Sequence, residues 1–382
     1  MKICGIICEY NPFHNGHIYH IEEAKRRSGA DAIVCILGEH FTQRGEAAVL
    51  PAAVRAKHAI LGGADAVISL PAVFATSPAE IFARGAISIL SSLPAFSFLS
   101  FGAEHADSDF FAAAEILNDE SSYAETMKKY LSQGDSFALS REKALKGTAA
   151  FPLLSSPNDV LALEYARALL PKKRDVTLLP VERIGAYKKE ELTGSISSAA
   201  AIRAAVKNGC VPCAETGVPE FTATDLSRGY FDQSTLLAAE KISLLKTPRN
   251  VLAATLDCTE GLENALFKAA GNGKDVIKAL TSRRYTASRI RRICLQNLLG
   301  IRRNFIDRCL TSPLYIKPLA VKKGREDVLS ALAAGSLPCV IRHADEIALS
   351  GVAKKCFETE KLAQKIYSAV TNRYDGTNTL FY

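Results

Sequence analysis

Apolar residues in the first half of the chain fall into short unbroken runs, separated by longer stretches in which they recur every three or four positions. KICGIIC (2–8), AIVCILG (32–38), DAVISLP (65–71), FSFLSFG (96–102) and VTLLPVER (176–183) read as strands covered on both faces, since a half-exposed strand would alternate apolar with polar. Between them, Ile18, Ile21 and Ala24 share a helical face in the segment from His17 to Ser28, and LPAAVRAKHAILGG (50–63) reads as a helix stopped by glycines. SPAEIFARGAISILSSL (77–93), a stretch reaching to about residue 149, and SPNDVLALEYARALL (156–170) are helical again. Strand alternating with helix five times predicts a Rossmann-like, doubly wound α/β fold with a parallel five-stranded sheet.

The pattern changes after NGCVPCAETGVPEFTATD (208–225), which collects glycine, proline and small polar residues as a linker does. Beyond it, TLLAAEKISLLK, GLENALFKAA and EDVLSALAAG are helical, and no strand alternation returns. Residues 1–208 and 225–382 are therefore expected to form an α/β domain and a mainly helical one.

A chain of 382 residues, 48% apolar and 23% charged, has enough core for both. Its ten cysteines are scattered, so they read as reduced thiols of a cytoplasmic protein. Cys210-Val-Pro-Cys213 has no second pair at zinc spacing and reads as two incidental linker thiols. No run approaches the roughly 18 apolar residues of a membrane span, and Met1 leads into a strand without a charged leader, so neither a span nor a targeting segment is expected. The net charge of +7 favours a polyanionic partner. Its placement sharpens this, because SRRYTASRIRRICLQNLLGIRR (282–303) carries seven arginines and no acidic residue. There Ile290, Ile293, Cys294, Leu298 and Ile301 form an apolar stripe that should leave Arg289, Arg291 and Arg292 facing outward. Tyr285 beside Arg283 and Arg284 offers stacking as well as phosphate contact, so these two arginines are the foremost RNA-binding candidates; a solvated basic face is the alternative. Lys188 and Lys189 could continue the basic track toward the first domain.

The chemistry sits after the first strand, where CEYNPFHNGHIYH (8–20) spaces His14, His17 and His20 three apart. Ligands of doubly wound sheets bind beyond the carboxyl ends of the strands. A phosphate there would meet the unpaired N–H groups opening the next helix and two imidazoles, with Gly16 allowing close approach. A metal site is the rival reading, but no matching set of ligands appears elsewhere in the first domain. Gly102 ends a strand at the same edge, Asn158 follows Ser156-Pro157 at a helix start, and Arg183 closes the last strand. In ISSAAAIRAAV (196–206), Ser197 and Ser198 can start a helix with Arg203 inside it, a second phosphate-binding element; in GEHFTQRGEAAV (38–49), Gln43 and Arg44 are placed for substrate contact.

His14-Asn15-Gly16-His17 is similar to the H-x-G-H signature of the nucleotidyltransferase superfamily. With GIICEYNPFHNGH, FTQRGE, FARGA, FGAE, SPNDVLALEY, RIGAY and RYTASRIRR following in order, the chain resembles the tRNA-Met cytidine acetate ligase family over nearly its whole length. The resemblance implies a fold of the nucleotidyltransferase (HUP) type and an enzyme that activates acetate with ATP. Acetyl-adenylate and pyrophosphate would form, and the acetyl group would pass to N4 of the wobble cytidine of elongator tRNA-Met. It implies ATP contacts along the loop made of Ile7, Cys8, Glu9, Tyr10, Asn11, Pro12, Phe13, His14, Asn15, Gly16, His17, Ile18, Tyr19 and His20, completed by Gly102, Asn158 and Arg183. His14 and His17 would be the catalytic pair, Mg2+ would accompany ATP, and no resident metal, tightly bound cofactor or obligate protein partner is expected. Two departures stand out: Glu39 and His40 replace Gly-Asn, and an alanine stands where the ISSTxxR element has threonine. A small-molecule adenylyltransferase and a non-catalytic RNA-binding protein are the alternatives. Neither a G-x-x-x-x-G-K-[ST] loop nor a K-M-S-K-S element is present.

Overall fold

A computed structural model describes the whole chain except residues 173–174, 184–191, 193, 228–231 and 374–379. The five expected strands form as β1 (Ile3–Cys8), β2 (Ala32–Gly38), β3 (Ala66–Leu70), β4 (Phe96–Ala103) and β5 (Thr177–Glu182). They pair in parallel in the order β5-β4-β1-β2-β3. The chain thus builds one side of the sheet, then crosses β1 to build the other, which puts the switch point between β1 and β4.

Every residue of β2 and β3 is buried, as continuous apolar runs require. Alternate residues feed two cores: Ala32, Val34 and Ile36 face one, Ile33, Cys35 and Leu37 the other. The second core is closed by α1 (Asn15–Ser28), through Ile21 and Ala24, and by α2 (Ala52–Leu61), through Ala56, Ala59 and Ile60. The first is closed by α3 (Ala79–Leu90) and α4 (Pro157–Leu169).

The sheet goes further than the sequence pattern indicates. Two strands from the C-terminal region, β6 (Pro318–Val321) and β7 (Leu380–Phe381), extend it beyond β3, with β6 antiparallel to β3 and β7 parallel to β6. Only four residues long, β6 gives too short an apolar run to stand out among helices. α5 (Ala199–Lys207) closes the first portion before the linker, and the rest of the C-terminal region is mainly helical, with the arginine-bearing α6 (Ala287–Leu298) and the long α7 (Gly351–Thr371). Cys356, Phe357, Ala363 and Tyr367 of α7 join the same core as β2 and α3.

Candidate active site

A cavity of about 700 Å³ opens at the carboxyl ends of β1 and β4, over the switch point. Three helix N-termini converge on it: His14, Gly16 and His17 from α1, Pro157 and Asn158 from α4, and Ser197 to Ala200 from α5. Each contributes unpaired backbone N–H groups and the positive end of a helix dipole, an arrangement suited to a chain of phosphates.

His14 is the N-cap of α1, and its backbone N–H donates to Nδ1 of His17 at 3.2 Å. His17 must then carry its own proton on Nε2, leaving that nitrogen as a donor. The two rings stack with centroids 3.6 Å apart, and Tyr10 lies 4.6 Å from the His17 ring. Burial, then the positive charges of Arg183 and Arg203, holds His14 down at about 3. Burial and the neighbouring histidines likewise push His17 well below its usual range. Both are neutral at pH 7, and an incoming polyanion would reverse the electrostatic part of that shift. A Cβ at Gly16 would lie 3.0 Å from Cε1 of His14, so glycine there leaves room for the ring over the helix start.

His20 serves differently. Its Nε2 lies 2.9 Å from Oγ of Ser100, whose hydroxyl proton goes to the carbonyl of Leu179 at 3.1 Å. The imidazole is therefore the donor and is tied to the floor of the cavity between β4 and β5.

Most of the anticipated residues line this cavity: Ile7, Cys8, Glu9, Tyr10, Asn11, His14, Gly16, His17, Tyr19, His20, Gln43, Arg44, Gly102, Asn158, Arg183, Ser197, Ser198 and Arg203. Four residues of the first loop lie outside the lining and support it. Phe13 is fully buried against the tip of α2, where a Cβ on Gly62 would strike its ring. The Asn15 amide donates to the carbonyls of Ser195 and Ala214 at 2.8 and 3.0 Å, Pro12 follows a cis peptide bond, and Ile18 packs on the second core. Asn158 donates to Oε1 of Glu104 at 2.6 Å, and the same oxygen lies 3.9 Å from Nε of Arg183. Oγ of Ser198 caps α5 by accepting from N–H of Ala201 at 3.1 Å, and Arg203 donates to the carbonyl of Asn11 at 2.8 Å.

Arg55 is the residue that sequence reasoning missed. It is 1% exposed and donates to the carbonyls of Leu50, Glu9, Gly38 and Glu39, joining the loops after β1 and β2. Nothing in its helical spacing distinguishes it from a surface arginine, because these four acceptors are backbone atoms. The departure at Glu39 and His40 is also compensated from afar. Nζ of Lys317 lies 2.9 Å from Glu39, and Nδ1 of His40 lies 2.9 Å from Glu360. Glu39, His40 and Glu360 are the one buried group of metal-type donors among the described residues, but they do not line the cavity, and an ammonium already sits on Glu39.

The arginine segment packs directly against the cavity wall. Gly45, at φ +74°, lies so close to α6 that a Cβ would come within 2.7 Å of the backbone of Arg291 and Arg292. Arg291 pairs with Glu46 at 3.3 Å. Contrary to the expected outward face, Arg292 is turned inward, 14% exposed, donating to the carbonyl of Gln43 and pairing with Asp257 at 3.4 Å. Arg289 donates to the carbonyl of Asp257 at 2.8 Å. Arg284 meets Glu260 at 2.5 Å, and Arg283, 81% exposed, lies 3.5 Å from Asp135. The acidic partners missing from the segment itself come from elsewhere in the chain. Lys188 and Lys189 lie outside the described residues.

A mainly parallel sheet with a histidine pair at the first helix start and a cavity over the switch point is the arrangement expected of a nucleotidyl transferase, and residues 1–379 match the HIGH Nucleotidyl Transferase family. Solved structures agree: Thermotoga maritima TmcAL, apo and bound with alpha-thio ATP, superposes with TM-scores of 0.92 and 0.90, at 26% identity and over 100% of both chains. Curated relatives called tRNA(Met) cytidine acetate ligase are 34% identical in Acetivibrio thermocellus, over 96% of this chain and 94% of that protein, and 34% in Leuconostoc mesenteroides, over 97% and 96%. The chain belongs to the tRNA(Met) cytidine acetate ligase family.

Proposed function

We propose that this protein activates acetate with ATP and transfers the acetyl group to N4 of the wobble cytidine of elongator tRNA-Met. The observation that carries the reading is the neutral, stacked His14–His17 pair at the start of α1, held beside the start of α5 by the Asn15 amide on the carbonyl of Ser195, with both helix starts lining the cavity. Attack of a carboxylate on the α-phosphorus spreads negative charge over the non-bridging oxygens and the departing pyrophosphate. Fixed donors aimed there stabilise the transition state more than the ground state. His14 and His17 act as those donors, helped by the N–H groups beside Ser197 and Ser198 and by Arg203. The nucleoside lies toward Gly102, Asn158 and Arg183, where glycine keeps the end of β4 low. Gln43 and Arg44 border the acetate side. Mg2+ arrives with ATP as part of the substrate, held by phosphates and water.

In this reading residues 1–208 carry the adenylation chemistry and 225–382 bring the tRNA, in the cytoplasm. Arg283 and Arg284, exposed where Arg289, Arg291 and Arg292 are half-buried, contact the RNA backbone, while Arg291 and Arg292 hold α6 against the site. The likeness in fold and length to an ATP-analogue-bound relative supports the nucleotide part, and the names of the curated relatives support the tRNA part. The test is to incubate the pure protein with labelled acetate, ATP and total tRNA and to map the modified nucleoside. Acetylcytidine at the wobble position of elongator tRNA-Met is the expected product. Exchange of pyrophosphate with an acid other than acetate, with no label on RNA, would instead favour a small-molecule adenylyltransferase.

A further inference from the structure

The proposed reaction has a second half that the histidine pair does not serve. When the cytosine amine attacks acetyl-adenylate, an N–C bond forms at the acyl carbon, and the bond from that carbon to the phosphate oxygen breaks. AMP leaves with the electron pair, and the attacking nitrogen must lose one proton. The exocyclic amine of cytosine is a weak nucleophile, so a group that accepts that proton as the bond forms contributes substantially.

Three carboxylates line the cavity among its described residues: Glu9, Glu46 and Glu182. Glu46 is paired with Arg291, and Glu182 lies exposed at the far edge on β5. Glu9 sits five residues before His14 on the same loop, with Oε1 fixed by the backbone N–H of Gln43 at 2.6 Å. The carbonyl of that same Gln43 accepts from Arg292 of α6. Glu9 therefore stands between the phosphate-binding pair and the arginine helix. We propose that Glu9 is the general base of acetyl transfer, taking the proton from the cytosine amine as it attacks the acyl carbon; this rests on the ligase reading above.

The surroundings suit a proton acceptor. Burial raises the ionisation of Glu9 above the ordinary carboxylate range, while the Gln43 N–H and Arg44 on the loop after β2, Arg203 from α5 and Arg55 from α2 keep the charged form accessible. Tyr165 of α4 also faces it. The proton then passes from Glu9 to solvent once AMP has left.

The experiment mixes the full chain with synthetic acetyl-adenylate and an unmodified elongator tRNA-Met transcript in a single turnover, alongside acetate-dependent ATP–pyrophosphate exchange. Glu9→Gln keeps an oxygen for the Gln43 N–H. It should lower the ratio of transfer to exchange by about 100-fold and remove the rise of transfer rate with pH that the parent protein shows on the acid side. Transfer near the parent rate, or equal losses in transfer and exchange, overturns the assignment. A parent protein that makes no acetylcytidine from acetyl-adenylate overturns the ligase reading itself, a result distinct from failure of Glu9 alone.

Discussion

Replacing Arg55 with methionine tests whether one buried side chain holds the active-site loops together. The guanidinium donates to four carbonyls, those of Leu50, Glu9, Gly38 and Glu39, and is 1% exposed, so water cannot take its place. Each carbonyl left without a donor costs about 1 kcal/mol, and the variant is spared the desolvation of a charge, giving a net loss of about 3 kcal/mol. A protein with ordinary stability of about 5–15 kcal/mol remains folded after such a loss. The assay is urea denaturation followed by circular dichroism, read from the midpoint, together with pyrophosphate exchange on the folded variant. Exchange should fall as well, because the Glu9 and Glu39 carbonyls belong to the loops that carry the His14 approach and Gln43. Arg55→Lys, with a single ammonium facing four diverging acceptors, should lose about half as much. A loss under about 1 kcal/mol with full exchange activity would refute the reasoning, since that is the size of an ordinary surface change.

His14→Ala and His17→Ala should each abolish acetate-dependent pyrophosphate exchange while leaving tRNA affinity close to the parent value; parent-like exchange in either variant contradicts the phosphate-donor role. Changing Arg283 and Arg284 together to alanine should weaken tRNA binding and reduce the slope of log affinity against log salt by up to about 2, with exchange retained; a slope that does not move removes the RNA role. His20 is held at about 4, chiefly by burial and then by Arg183, against an ordinary 6.5. Below pH 6.5 the unfolded chain takes up a proton that the folded chain refuses. Its contribution to stability is therefore complete above pH 6.5 and is lost as pH falls toward 4. His20→Gln should flatten the stability–pH curve in that window by up to about 1.4 kcal/mol per pH unit, and identical curves for the two proteins would count against it.

The α/β half was legible because its strands are buried on both faces, and such runs announce themselves without knowledge of their partners. The histidine loop was legible for a related reason, since β1, its turn and α1 are contiguous in the chain. What stayed hidden depends on contacts between distant residues. The segment around α6 has no acid of its own, so its arginines looked free, yet the fold brings Glu46, Asp257, Glu260 and Asp135 to them. Arg55 was hidden because backbone carbonyls carry no signature in a side-chain pattern. Glu39 and His40, conspicuous as departures, are answered by Lys317 and Glu360 more than 270 positions away.

The short strand β6 gives the two halves of the molecule a common fate. It covers β3, whose AVISL sequence is apolar but for Ser69 and which would otherwise end the sheet with an open row of N–H and C=O groups. A fragment cut at residue 208 would leave that edge unpaired, so the sheet that begins the chain is finished by residues more than a hundred positions further on.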